Sequence, residues 1–350
     1  MKAAVCGQAG PPEVLKVRDV PTPRVRAGWS LVRVRAFGLN RSELMTRQGH
    51  SPNVRFPRVL GIECVGEVVE STDPGLPPGT TVAAVMGEMG REFDGGYAEY
   101  ALLPDALLVP VRMSLPWEVF GALPETYLTA YGSLQALGIP LPSETGTGEP
   151  GAASSAQGGS PFTPDGSRQC LLVRGGTSSV GMAALSLAKN YHLDTIATTR
   201  NTDKADTLYK AGATHVVLDD GDITAAVREI RPDGPNYVLD LVGANTTVHS
   251  LQLTAPGGTV CVTGILSGIW QIPQFEPVAM IPSGRKLTAF QSYDLQGQAG
   301  SAALQHIVDG VARGEYLPNL DRVFRLDEIV EAHRYMEQNR AVGKVVGLID

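Results

Sequence analysis

The chain has 350 residues, 43% hydrophobic and 19% charged, which is enough for one large or two medium domains with real cores. A net charge of −7 and an isoelectric point near 5.5 argue against nucleic acid as the main partner, because phosphate binding needs a basic face. No apolar run is long enough to span a membrane, and the scattered cysteines Cys6, Cys64, Cys170 and Cys261 form neither a disulfide-like nor a CxxC pattern.

The opening Met1-Lys2-Ala3-Ala4-Val5-Cys6 lacks the apolar core of a signal peptide and is expected to be a strand of a cytoplasmic protein. Short strand-like runs broken by Gly and Pro continue to about residue 124. Leu31 to Ala36 alternates apolar and polar side chains, which places one face in a core and the other in water. Gly66 to Glu70 and Thr80 to Val85 are two more such runs, separated by the turn cluster Asp73 to Gly79. This section is expected to be a β-rich, barrel-like domain. Thr126 to Leu137 then reads as a helix, ended by Gly138 and Pro140. Residues 143–167 are rich in Gly, Ser, Ala, Thr and Pro and are expected to form a flexible surface loop.

After that loop, strand and helix patterns alternate. Leu171 to Val173, Asp194 to Thr199, Val216 to Leu218, Tyr237 to Asp240 and Thr259 to Val262 read as buried strands. Val180 to Lys189 and Asp203 to Ala211 read as helices between them. Such alternation implies an α/β domain with a parallel sheet covered on both faces. Asp327 to Asn339 and Gly343 to Gly347 read as a closing helix and strand.

Between the first of these strands and its helix lies Gly175-Gly176-Thr177-Ser178-Ser179-Val180-Gly181. A helix N-terminus offers N–H groups and the positive end of its dipole to a pyrophosphate, and glycines let the backbone approach closely. The spacing departs from a strict GxGxxG, and glycine-rich strand–helix loops also occur without a ligand. The next strand ends Thr199-Arg200-Asn201, with no carboxylate before Asp203, and Lys204 follows. NAD enzymes place an acid there for the ribose hydroxyl, whereas Arg200 and Lys204 suit a 2′-phosphate. Two ordinary solvated cations would read the same way. NADPH is the expected cofactor.

Taken together, Lys2 to Val5, Gly38 to Glu43, Pro57 to Glu63, Gly95 to Tyr100, the glycine turn, Leu239 to Gly243 and Ala341 to Val346 resemble the medium-chain dehydrogenase/reductase family. The resemblance is to its zinc-independent, quinone-oxidoreductase-like branch. It implies a GroES-like catalytic domain over 1–124, completed by 286–350, and a Rossmann NADPH-binding domain over 125–285. Zinc-dependent relatives carry cysteine at the position of Asn40 and histidine at that of Ile62. Neither an amide nor an aliphatic side chain there completes the N, S or O donor set that catalytic zinc needs. Cys64 beside Glu63 reads as a small core residue rather than a ligand.

The resemblance further places Asn40 and Thr129 at the nicotinamide, and puts Lys344 in the cofactor-binding set. His50 stands in a segment where relatives often carry a tyrosine. It is a candidate proton donor, and equally an ordinary loop histidine. Tyr131, Trp270 and Phe275 are candidate substrate-pocket residues, with packing as the other explanation. The expected reaction is hydride transfer from NADPH to a quinone or α,β-unsaturated carbonyl in a homodimeric enzyme without metal. An enoyl-thioester reductase and a non-catalytic NADPH-binding protein remain open, since fold alone does not choose among them.

Overall fold

The structure, a computed structural model, describes residues 1–141, 163, 166–295 and 297–349. It divides into two units. One comprises Met1–Leu128 with the described parts of Leu295–Gly314 and Pro318–Asp350, the other the described parts of Thr129–Asp294 with Glu315–Leu317.

The first unit opens with eight strands, β1 (Lys2–Cys6), β2 (Leu15–Asp19), β3 (Trp29–Leu39), β4 (Arg58–Val59), β5 (Glu63–Glu70), β6 (Thr81–Val85), β7 (Tyr100–Pro104) and β8 (Leu108–Pro110). In β3, Val32 and Val34 point into the core while Arg33 is exposed, the alternation that the sequence displays. Beyond Arg35 that alternation ends: Ala36, Phe37, Gly38 and Leu39 are all buried. Between β3 and β4 the helix Arg41–Arg47 begins at Asn40, whose backbone N–H donates to the Glu43 carboxylate at 3.1 Å.

The second unit is a six-stranded parallel sheet: β9 (Cys170–Arg174), β10 (Asp194–Thr199), β11 (His215–Leu218), β12 (Tyr237–Asp240), β13 (Thr259–Val262) and β14 (Lys286–Ala289). Their spatial order is β11-β10-β9-β12-β13-β14. Strand order therefore reverses between β9 and β12, and in open α/β sheets the ligand crevice lies at the carboxyl ends of the strands at that point. Cys170, Leu172, Ile196, Val238 and Val260 of four adjacent strands pack into a core with Val227 and Leu251 of the flanking helices. Because β14 belongs to this sheet, the chain returns to the first unit at Leu295, later than the expected boundary at residue 286.

On its return the chain adds helix Gly297–Ala312, strands β15 (Leu320–Arg325) and β16 (Lys344–Leu348), and helix Ile329–Glu337. β16 pairs antiparallel with β3, matching Val345 to Leu39, and completes a seven-stranded sheet of order β15-β16-β3-β5-β6-β8, with β7 also on β3. All four cysteines are free and buried. Most of the expected loop at 143–167 lies outside the described residues.

Candidate active site

In the second unit, the glycine turn joins β9 to helix Ser179–Asn190. Gly175 has φ +82°, a left-handed conformation open to glycine at little cost. Gly181 has no room for a side chain: a Cβ there would lie 2.6 Å from the Gly175 carbonyl oxygen and 2.8 Å from that of Gly176. Ser178 caps the helix, accepting from the Gly181 N–H at 3.1 Å, and its own hydroxyl donates to Gly175 O at 2.8 Å. Its hydroxyl proton thus stabilises the turn itself, instead of standing as the extra ligand donor that the residue type suggests. Thr177, Ser179 and Val180 are half-buried at the helix start.

Thr199 ends β10 buried, with its hydroxyl folded onto the backbone of Asn201 at 3.0 Å. Arg200 follows, exposed, and Lys204 is half-buried in the short turn before helix Ala205–Ala211. Beneath this rim lies a residue that sequence reasoning passed over. Arg174, the last residue of β9, is fully buried and donates to Asp219 at 3.0 Å, with its second nitrogen 3.2 Å from His249 Nδ1. Burial and the Arg174 charge hold His249 below the usual histidine range. Asp240, at the end of β12, accepts from the Val242 and Gly243 N–H groups at 3.0 Å and from the hydroxyls of Thr246 and Ser250. It shapes the β12 loop.

In the first unit, Asn40, Glu43, Glu63 and Lys344 form one hydrogen-bonded cluster. Lys344, fully buried on β16, donates to Glu63 and to Asn40 Oδ1 at 2.7 Å. The Asn40 amide nitrogen donates to Glu63 at 3.0 Å and to Glu43 at 3.3 Å. Glu63 also accepts from the Glu125 N–H at 3.0 Å, and Glu43 from the Ile62 N–H at 3.1 Å. Gly38 makes room for the ion pair, since a Cβ there would stand 2.1 Å from the Glu63 carboxylate and 2.5 Å from the Lys344 side chain. Burial pushes the Glu43 carboxyl up to about 7, helped by Glu63 and opposed by the Ile62 N–H and Lys344.

The structure therefore joins two of the expected site residues directly, Asn40 and Lys344. It adds Glu43 and Glu63, which had been noticed only as parts of family-like segments. His50 is exposed just past helix Arg41–Arg47. Thr129 and Tyr131 are buried in helix Pro124–Ala136, Phe275 is half-buried, and Trp270 is 65% exposed. Cys64 is a buried core residue whose thiol burial raises to about 12.

Two family models match the chain: an alcohol dehydrogenase GroES-like domain over residues 26–113 and a zinc-binding dehydrogenase domain over residues 211–346. A quinone oxidoreductase of Lama guanicoe is 26% identical, covering all of this chain and 98% of that protein. The chain belongs to the medium-chain dehydrogenase/reductase family, on its quinone-oxidoreductase-like side. Among solved structures, an NAD-dependent alcohol dehydrogenase shares 26% identity over the whole of both chains with a TM-score of 0.81. The mycobacterial protein Rv1454c complexed with NADPH shares 25% identity over 99% of both, again with a TM-score of 0.81.

As a member of this family the protein is an oxidoreductase built around a nicotinamide dinucleotide. Its family neighbours differ over which dinucleotide they use, so the choice has to come from this chain's own residues. Among the described residues, no group of three or more His, Cys, Asp and Glu could hold a metal ion, and no helix is long and apolar enough to cross a membrane.

Proposed function

We propose that this protein is an NADPH-dependent reductase that transfers hydride to a quinone or an α,β-unsaturated carbonyl without catalytic zinc. The observation that carries this reading is the state of the two positions where zinc-dependent relatives hold ligands. Asn40 is an amide tied to Lys344, Glu63 and Glu43, and Ile62 is a buried aliphatic side chain. Zinc needs N, S or O donors at three protein positions, and Ile62 supplies none. The residues present do not fit that metal.

The preference for NADPH rests on the end of β10, where Arg200 stands exposed and the sequence holds no carboxylate between Thr199 and Asp203 to bind a ribose 2′-hydroxyl. Bound at the glycine turn, the reduced cofactor supplies the hydride. The chain supplies the turn and helix dipole that hold the pyrophosphate and the cation that reads the 2′-phosphate. Hydride from the cofactor would add to the electron-poor carbon, leaving negative charge on the carbonyl oxygen for a proton from solvent to neutralise. Quinones and conjugated enones suit a site without a Lewis acid because their reduced forms delocalise that charge. A homodimer in the cytoplasm is part of the same reading, and sedimentation velocity measures the dimer.

Arg200→Ala should raise KM for NADPH by about tenfold to a hundredfold and leave KM for NADH within about twofold, the loss of one charge-assisted phosphate contact. Equal losses for both cofactors would remove the assignment. Elemental analysis of active protein is expected to find zinc well below one per chain.

A further inference from the structure

Sequence order places no acid between Thr199 and Asp203, but strand pairing brings one alongside. The Asp219 N–H donates to the Thr199 carbonyl at 2.8 Å, so Asp219 stands one hydrogen bond away from the residue that precedes Arg200. A carboxylate at the end of this strand suits a ribose 2′-hydroxyl and repels a 2′-phosphate. Here the side chain is turned inward. Its Oδ2 accepts from Arg174 Nη2 at 3.0 Å, and 15% of the side chain is exposed.

Arg174 ends β9, and β10 lies between β9 and β11, so its side chain reaches past a whole strand to meet Asp219. Behind it, Nη1 lies 3.2 Å from His249 Nδ1 on helix Ala244–Leu253. Arginine carries donors alone, so Nδ1 accepts and the ring proton sits on Nε2, 3.0 Å from Thr224 Oγ1. The guanidinium is thus held from two sides. Its side chain is 1% exposed, and Asp219 is the ion-pair partner that makes its burial tolerable.

We propose that Arg174 sets the cofactor preference without touching the cofactor, by drawing the Asp219 carboxylate under the sheet and leaving the end of β10 to Arg200. Arg174 is a positioning residue, and Asp219 is the NADH-favouring acid that it withholds. The inference rests on the NADPH reading above, and every residue in it belongs to the second unit. Without Arg174, the largely buried carboxylate has no cation and turns to water. There it stands beside Arg200, opposes a 2′-phosphate and accepts from the 2′-hydroxyl of NADH. Asp220 is exposed and unaltered in every variant below, so its charge drops out of the comparison.

The test measures Kd for NADPH and for NADH by cofactor fluorescence on full-length wild type, Arg174→Met and the double variant Arg174→Met/Asp219→Asn. Arg174→Met is expected to raise Kd for NADPH by at least about tenfold and to leave Kd for NADH within about threefold. The double variant should bring the ratio of the two constants back to within about threefold of wild type. Equal losses for both cofactors, or a double variant with the same ratio as Arg174→Met, overturns the proposal.

If Arg174→Met does not fold, Arg174→Gln keeps a donor for Asp219 and drops the charge, and it should shift the ratio the same way by at least about threefold. Failure of both variants to fold makes the pair structural and also overturns the proposal. A wild type that binds NADH as tightly as NADPH would defeat the NADPH reading itself. A wild type that prefers NADPH beside an unshifted Arg174→Met would defeat this inference alone.

Discussion

Glu43 is a carboxyl group buried from solvent, facing Glu63 and Lys344 from the neighbouring strands and lying near the buried Tyr97 hydroxyl. Its carboxyl is raised from the ordinary 4.5 to about 7 chiefly because burial penalises the charge. Between those two values the folded protein binds more protons than the unfolded chain, so this group makes stability fall as pH rises through that window and level off above it. Glu43→Gln keeps the shape and removes the titration. Denaturant unfolding from pH 4.5 to 8 should show wild type losing on the order of 2–3 kcal/mol relative to the variant, most of it below pH 7. Parallel pH curves for the two proteins would refute this. Sequence reading picked out Asn40, Ile62 and Lys344, each by its place in a family-like segment. Glu63 went unassigned because it lies 23 residues from Asn40 and 281 from Lys344, and no local pattern announces a contact made by strand pairing, whereas Glu43, three residues after Asn40, is legible locally only as a capping acid.

At the scale of elements, the glycine turn works as a clasp between a strand and a helix. A methyl group on Gly181 would press on two backbone carbonyls, which cannot swing aside as a side chain can. Gly181→Ala should therefore shift the start of helix Ser179–Asn190 away from the turn and weaken cofactor binding by at least about tenfold, with thermal stability reduced by roughly 1–3 kcal/mol. Isothermal titration with NADPH checks the first effect, and unchanged affinity would show that the helix start is not where the pyrophosphate sits. The strands of this unit were easy to read: β9 to β13 are apolar or β-branched runs, with β10, β12 and β13 spanning the expected residues and β9 and β11 longer by two residues and one. β14 escaped notice because Lys286–Ala289 is only partly buried at the sheet edge and carries no apolar run. Helix Gly297–Ala312 escaped because glycines at 297, 300 and 310 blur its helical signal.

At the scale of the whole molecule, the first unit is assembled from chain segments that begin at Met1, Leu295 and Pro318. Periodicity identified a strand near the C-terminus. Its assignment to the first domain came from the family resemblance, because nothing in an isolated run such as Val345-Val346 says which sheet it joins. β16 lies between β15 and β3, so it is an interior strand of the seven-stranded sheet and not an optional edge.

The position of Lys344 on that strand also makes the cluster dependent on a segment synthesised 281 residues after Glu63. Until residue 344 leaves the ribosome, Glu43 and Glu63 have no cation, and the site cannot close around Asn40. A molecule clipped before β16 would lack that cation, while every residue of the glycine turn would remain on the chain. Lys344→Met should imitate this in a full-length protein, costing about 3–5 kcal/mol of stability by leaving a buried carboxylate uncompensated. Its nucleotide binding, read by cofactor fluorescence, should outlast its turnover, and simultaneous loss of both would contradict that view. β16 thus ties closure of the cluster to a segment 281 residues from Glu63, and a copy without that segment cannot form it.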